Sequence, residues 1–137
     1  MRQIRTLLVK YMYRSLRKEA EKMEEINILQ VQQHINDFAG ESVYIHLETT
    51  NGAYAAHNNE SFFSAGAYIR NAQVCYEHGK IVGEGPYRVG LKLPIGWIYA
   101  EGLTHFELDE LGRLLLAGHG YDGKLAVALE ISKTPFE

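Results

Sequence analysis

The chain has a single cysteine, three prolines and no apolar run approaching the ~20 residues that a membrane-spanning helix needs. One thiol, Cys75, cannot form an intramolecular disulfide or a zinc site built from several thiolates, so nothing here asks for an oxidising compartment. Flanked by Val74 and Tyr76 in a strand-like run, it reads as a buried, inert thiol. Scarce proline leaves little rigid linker, whereas 13 glycines imply many turns. The net charge is only -3, so no overall cationic field recruits a phosphate backbone, and nucleic acid is not an expected partner. Standard catalytic signatures are missing as well. There is no Gly-x-Ser-x-Gly elbow, no His-Glu-x-x-His zinc motif, no cupin-type His-x-His, and no glycine loop of P-loop or dinucleotide type. The expectation is a protein with no catalytic set, metal or cofactor, at a cytoplasmic address and not on a membrane.

What is present is ordinary globular material. Hydrophobic residues make up 46% of 137 residues, enough for one core and too little chain for a second of usual size. Residues 1–22 stand apart, with Arg2, Arg5, Lys10, Arg14, Arg17, Lys18 and Lys22 against Glu19 and Glu21. As a helix, Ile4, Leu7, Leu8 and Tyr11 would form a partial apolar stripe of the kind that lies on membranes or partners. Their longest apolar block, TLLV, is far short of a signal-peptide core. A second explanation is preferred. Met23 opens MEEINILQVQQHINDF, a natural chain start, and Lys18-Glu19-Ala20 can be encoded by codons containing AAGGAGG, a bacterial ribosome-binding sequence. The expectation is that Met23 initiates, that residues 1–22 are leader or poorly ordered extension, and that residues 23–137 form one domain.

From Glu24 to Ala39, Ile28, Val31, Ile35 and Phe38 recur at helical spacing, and Gly40 stands where a helix stops. After it the pattern is β. Val43, Ile45 and Leu47 alternate with Tyr44, His46 and Glu48, and Asn51-Gly52 supplies a type I′ turn from which residues 53–57 return as a hairpin. Residues 65–70 and 72–77 read as strands around Asn71, and His78-Gly79 as the next turn. Tyr87 to Leu93 alternates cleanly, Pro94-Ile95-Gly96 turns the chain, and Trp97 to Leu103 is a further strand. Phe106 and Leu108 continue the pattern to a tight connection at Asp109 to Gly112. Arg113 to Ala117 and Leu125 to Ile131 complete the set, on either side of the Gly118 to Gly123 loop. With one helix and no crossover helices, the fold class is α+β, mainly β. The expected architecture is an antiparallel meander forming a rolled sheet or small barrel, its N-terminal helix covering an edge or open end.

On strands, His46/Glu48 and His105/Glu107 each project to a common face, the spacing at which imidazole and carboxylate converge on a metal or share a proton. Two residues do not make a site, and exposed strand faces commonly carry such groups. His57 and His119 are the other histidines that could join a cluster. A polar and aromatic surface assembled from Tyr44, His46, Glu48, Tyr68, Arg70, Arg88, Lys92, Trp97, Tyr99 and Glu101 would bind a small molecule or a protein. From it Tyr44, His46, Glu48, Arg70, Trp97 and Glu101 are the candidate ligand-binding residues. The alternative is that the aromatics finish the core and the charges face water.

The runs VYIHLETTNGAYAAH, AYIRNAQVCY, GPYRVGLKLPIGWIYAEGL, GRLLLAGH and KLAVALEIS together resemble the YojF family of small bacillar proteins, over roughly residues 24–136. Family members begin near Met23, so the basic extension is the departure. The resemblance supplies no assigned catalytic or binding residue to carry over. Its members are often encoded beside a bacillithiol-type N-deacetylase, which implies an accessory role in thiol metabolism. Three readings follow: a non-catalytic binding or accessory protein, a metal-assisted or acid–base enzyme using His46 and Glu48, and a homo-oligomer joined by strand edges or by the Trp97 to Glu101 surface.

Overall fold

The computed structural model describes residues 23–50, 66–120 and 123–137. In chain order its elements are β1 (Glu24–Glu25), α1 (Ile28–Phe38), β2 (Val43–Thr49), β3 (Ala67–Val74), β4 (His78–Val82), β5 (Tyr87–Lys92), β6 (Trp97–Leu103), β7 (His105–Leu108), β8 (Leu114–His119) and β9 (Leu125–Ser132). The strands form a six-stranded sheet, ordered β1-β7-β8-β9-β2-β3, and a three-stranded sheet, β4-β5-β6, with every pairing antiparallel.

The mainly β, antiparallel class with one helix is as expected, but the barrel does not close. Among the described residues the hydrogen bonding is divided between two sheets. Two stretches are meanders, β4 to β6 and β7 to β9. The return of β9 to pair with β2 breaks a simple up-and-down order. The chain passes from the small sheet to the large one at the β6–β7 corner, where Thr104 N–H donates to the Ala117 carbonyl.

The helix begins later than its apolar spacing suggests. Asn27 caps it, its side-chain oxygen accepting from Gln30 N–H at 3.2 Å, and Glu24–Glu25 instead pairs as a short edge strand with His105 and Phe106. Gly40, at φ 80°, ends it as expected. Val31, Ile35 and Phe38 enter the core, where they meet Ile81, Val89 and Leu91 of the small sheet and Val43, Ile45, Leu129 and Ile131 of the large one. The buried hydroxyl of Tyr76 donates to the Ile35 carbonyl. On β4 the helix does a second job. The Gln32 amide donates to the Gly79 carbonyl at 2.9 Å and accepts from Ile81 N–H at 3.1 Å, so it closes part of the strand's outer edge as a neighbouring strand would.

Three local expectations are corrected. β2 pairs with β3 on one side and with β9 on the other. The expected Asn51-Gly52 turn, the return strand and His57 all lie outside the described residues. Asn71 does not divide two strands. It is the extra residue of a bulge within β3, where the register with Ile45 and His46 shifts, and it takes a φ of 59° that asparagine tolerates better than most side chains. His78-Gly79 lies inside β4 and is not a turn, and Cys75, just past the end of β3, is exposed. The turns at Pro94 to Gly96 and Asp109 to Gly112 form as read. Leu93 N–H donates to the Gly96 carbonyl, and Asp109 accepts from the N–H groups of Leu111 and Arg113.

A buried histidine, carboxylate and arginine network as candidate functional site

Alternation along β2 puts Tyr44, His46 and Glu48 on the face of the large sheet turned away from the core, as the sequence implies. That face is dry where it matters: His46 is 0% exposed and Glu48 6%. Cross-strand register explains the burial. Since β2 is an interior strand, His46 faces Arg70 of β3 on one side and Glu130 of β9 on the other, while Glu48 lies between Tyr68 and Ala128. Glu130 is 5% exposed, and Phe136 of the C-terminal segment covers the group, its ring centroid 6.3 Å from that of His46. The Tyr68 ring meets the imidazole edge-on at 5.2 Å.

The hydrogen bonds fix a tautomer. Arg70 Nη1 is 3.2 Å from His46 Nδ1, and since a guanidinium only donates, Nδ1 accepts and the ring proton sits on Nε2. Nε2 approaches Glu48 Oε2 at 3.4 Å without hydrogen-bond alignment, which leaves a buried N–H with no hydrogen-bonding partner. Arg113 flanks the cluster, bound to Asp109 at 2.6 Å and lying over the Phe136 ring at 5.8 Å.

Burial pushes the Glu130 carboxyl above its ordinary value. His46, Arg70 and Arg113 pull it back down, and Asp109 adds a smaller upward push. Burial also raises the Tyr68 phenol, against the nearby Arg70. A carboxyl whose folded pKa lies above its unfolded one stabilises the fold while protonated, and that contribution is lost as pH rises through the interval between the two values. Glu130→Gln is therefore expected to match the parent protein in acid and to exceed it in stability at neutral pH. Urea midpoints measured across pH check this, and a variant that is weaker at neutral pH contradicts it.

Other candidates fall elsewhere. His105 and Glu107 share the same sheet face, but β8 and β9 lie between them and His46. The His105 ring sits 5.5 Å from that of His119, whose pKa is lowered first by burial and then by His105. Among the described residues no group of three His, Cys, Asp or Glu side chains is arranged to hold a metal ion. Trp97, Tyr99, Glu101, Arg88 and Lys92 lie on the outer face of the small sheet, across the core from His46. The structure thus joins Tyr44, His46, Glu48 and Arg70 and separates them from Trp97 and Glu101.

On that second face Trp97 is 46% and Tyr99 51% exposed, with the rings stacked at 5.5 Å. Gly90, opposite Tyr99, makes room: a Cβ there would lie 2.8 Å from the Tyr99 ring. Arg88 lies over Tyr99 and bonds Glu101 at 2.5 Å, and Lys92 lies over Trp97. A third feature is a cleft of about 530 Å³ between α1 and β7, lined by Glu24, Gln30, Gln33, His34, Asp37, Phe106, Glu107 and Leu108, where the buried Glu107 Oε2 has no hydrogen-bond partner. Glu130 and Phe136 are the site members that sequence reasoning missed. The only signal for Glu130 is a charge inside an otherwise apolar strand, LAVALEIS.

A mainly antiparallel β domain, with two packed sheets and one helix among the described residues and a buried histidine, carboxylate and arginine network on the outside of its larger sheet, is the class that fold and site define. The family model described as a protein of unknown function, DUF1806, matches residues 25–136, and the chain belongs to that family. It is 58% identical over 106 residues to the uncharacterized protein YojF of Bacillus subtilis (strain 168), a match covering 77% of this chain and 91% of that one. The crystal structure of B. subtilis YojF superposes with a TM-score of 0.69 at 49% identity, covering 84% of this chain and 97% of that chain. The YojF resemblance therefore holds at the level of both sequence and fold.

Proposed function

We propose that this chain is a non-catalytic binding or accessory protein that docks, through the outer face of its three-stranded sheet, onto a partner protein with an acidic contact surface. The observation that carries the reading is the half-exposed Trp97–Tyr99 stack held over Gly90. Tryptophan, tyrosine and arginine are the residues most often found at the energetic centre of protein contacts. Around the stack Lys80, Arg88 and Lys92 outnumber Glu101, a local excess of positive charge on a chain of net charge -3. The N-deacetylase encoded beside members of the resembling family is the named candidate, which would place the protein in the cytoplasm in low-molecular-weight thiol metabolism. No helix among the described residues is long and apolar enough to cross a membrane.

Trp97→Ala is expected to reduce capture of that deacetylase at least tenfold while leaving the fold intact. Full capture by the variant, or no capture by the parent protein together with unchanged thiol pools in a deletion strain, removes the reading. A dimer that the same substitution dissolves would assign the face to a second copy of the chain. The acid–base alternative draws on the 3.4 Å approach of His46 Nε2 to Glu48 beside Glu130. Normal complementation of a deletion strain by His46→Ala would eliminate it.

A further inference from the structure

The chain after β9 makes the contacts of a bound peptide. Thr134 N–H donates to the Ser132 hydroxyl, which turns the backbone away from the strand, and the next residues cross the outer face of the large sheet. There Asn71 reads the main chain of Phe136 at two points, its Oδ1 accepting from Phe136 N–H at 2.7 Å and its Nδ2 donating to the Phe136 carbonyl at 2.8 Å. A neighbouring strand would make the same pair of bonds. Arg70 then sets Nε and Nη2 on the main-chain oxygen of Glu137, at 3.2 and 3.0 Å. The Phe136 ring fills the space between Arg70, Arg113 and the edge of His46.

The contacts of Phe136 and Glu137 are to backbone or to one aromatic ring; before them Lys133 pairs separately with Glu41 at 3.3 Å, outside this site. Phe136 is buried, yet it is not a member of the main core cluster, so its release does not open the core. Removing the ring would bare His46, whose Nε2–H has no hydrogen-bond partner, and the adjacent Glu130. We propose that Asn71, Arg70, Arg113 and His46 form a peptide-binding site, occupied in cis by the chain's own tail. Its occupant in trans is an extended segment of a partner protein that presents an aromatic residue. The site is separate from the Trp97 face and does not rest on the function proposed for it.

The test uses the full chain carrying Phe136→Ala and a fluorescently labelled peptide, Lys-Thr-Pro-Phe-Glu, followed by anisotropy. The variant should bind the peptide at least tenfold more tightly than the parent protein, whose site is filled. Binding should be lost when Phe in the peptide is replaced by Ala, or when Asn71→Ala is added to the variant. A folded variant that ignores the peptide, or equal binding by both proteins, overturns the proposal. Should the variant fail to fold, amide hydrogen exchange of the parent protein decides. Phe136 N–H is expected to exchange at least a hundredfold faster than the Leu129 amide, and exchange at the same rate as Leu129 makes the tail part of the core and overturns the proposal.

Discussion

Gly118→Ala is expected to cost more than about 3 kcal/mol and to leave little folded protein, because the added methyl has nowhere to go. A Cβ at Gly118 would stand 1.8 Å from the Gly102 carbonyl oxygen and 2.9 Å from Val127 Cγ1. The first of these neighbours is backbone and cannot rotate aside. Gly102 lies near the end of β6, at the shift in its register with β5, so the two glycines mark a close approach of the two sheets. Pushing them apart would open the corner through which β6 becomes β7. Gly40→Ala is the matched control. Its φ of 80° penalises a side chain, but no atom lies within 4 Å of the added carbon, so the loss should stay near 1–2 kcal/mol. Urea denaturation of both variants measures the difference, and similar midpoints would mean that the corner yields.

Arg70→Met is expected to lower stability by about 3 kcal/mol at neutral pH, at the lower end of what breaking a buried charged network costs, since Arg70 is only partly enclosed. Three things go at once: the donor to His46 Nδ1, the fork that holds the Glu137 oxygen, and the cation facing Glu130. The last gives the variant a pH signature. Arg70 draws the Glu130 pKa down against burial, so without it that pKa climbs further and the ionised carboxylate becomes harder to keep inside. The deficit should therefore narrow as pH falls and Glu130 takes up its proton. Arg70→Lys retains the charge without the fork and should restore the pH profile more than the stability. A deficit that does not change with pH would show that the Arg70 charge does not act on Glu130.

Much of the fold is legible because local pattern and tertiary environment agree. Tyr87 to Lys92 and Trp97 to Leu103 alternate because one face of each meets the core, and Asp109 to Gly112 turns because aspartate and glycine supply the needed hydrogen bonds and dihedrals. Agreement fails where pairing over long sequence distance decides. Glu24 and Glu25 open the run read as helical, yet they pair as an edge strand with Phe106 and His105. The site shows the same limit. His46 and Glu48 share a face by strand geometry alone, but Glu130 joins them through the β2–β9 register, which no local pattern encodes. The burial that gives the cluster its chemistry comes from the tail and Phe136. The exposed Trp97 and Tyr99 were equally compatible with a core role, because alternation tells which residues share a face and not which face is covered.

Gln32 carries a consequence of a different kind. A single side chain on a helix occupies one donor and one acceptor on the rim of β4, where a strand from another molecule would otherwise add on. These two bonds are a small part of what holds the molecule together. They also bear on how molecules meet: with one donor and one acceptor of that rim already taken, it offers a passing chain fewer places to begin an ordered stack.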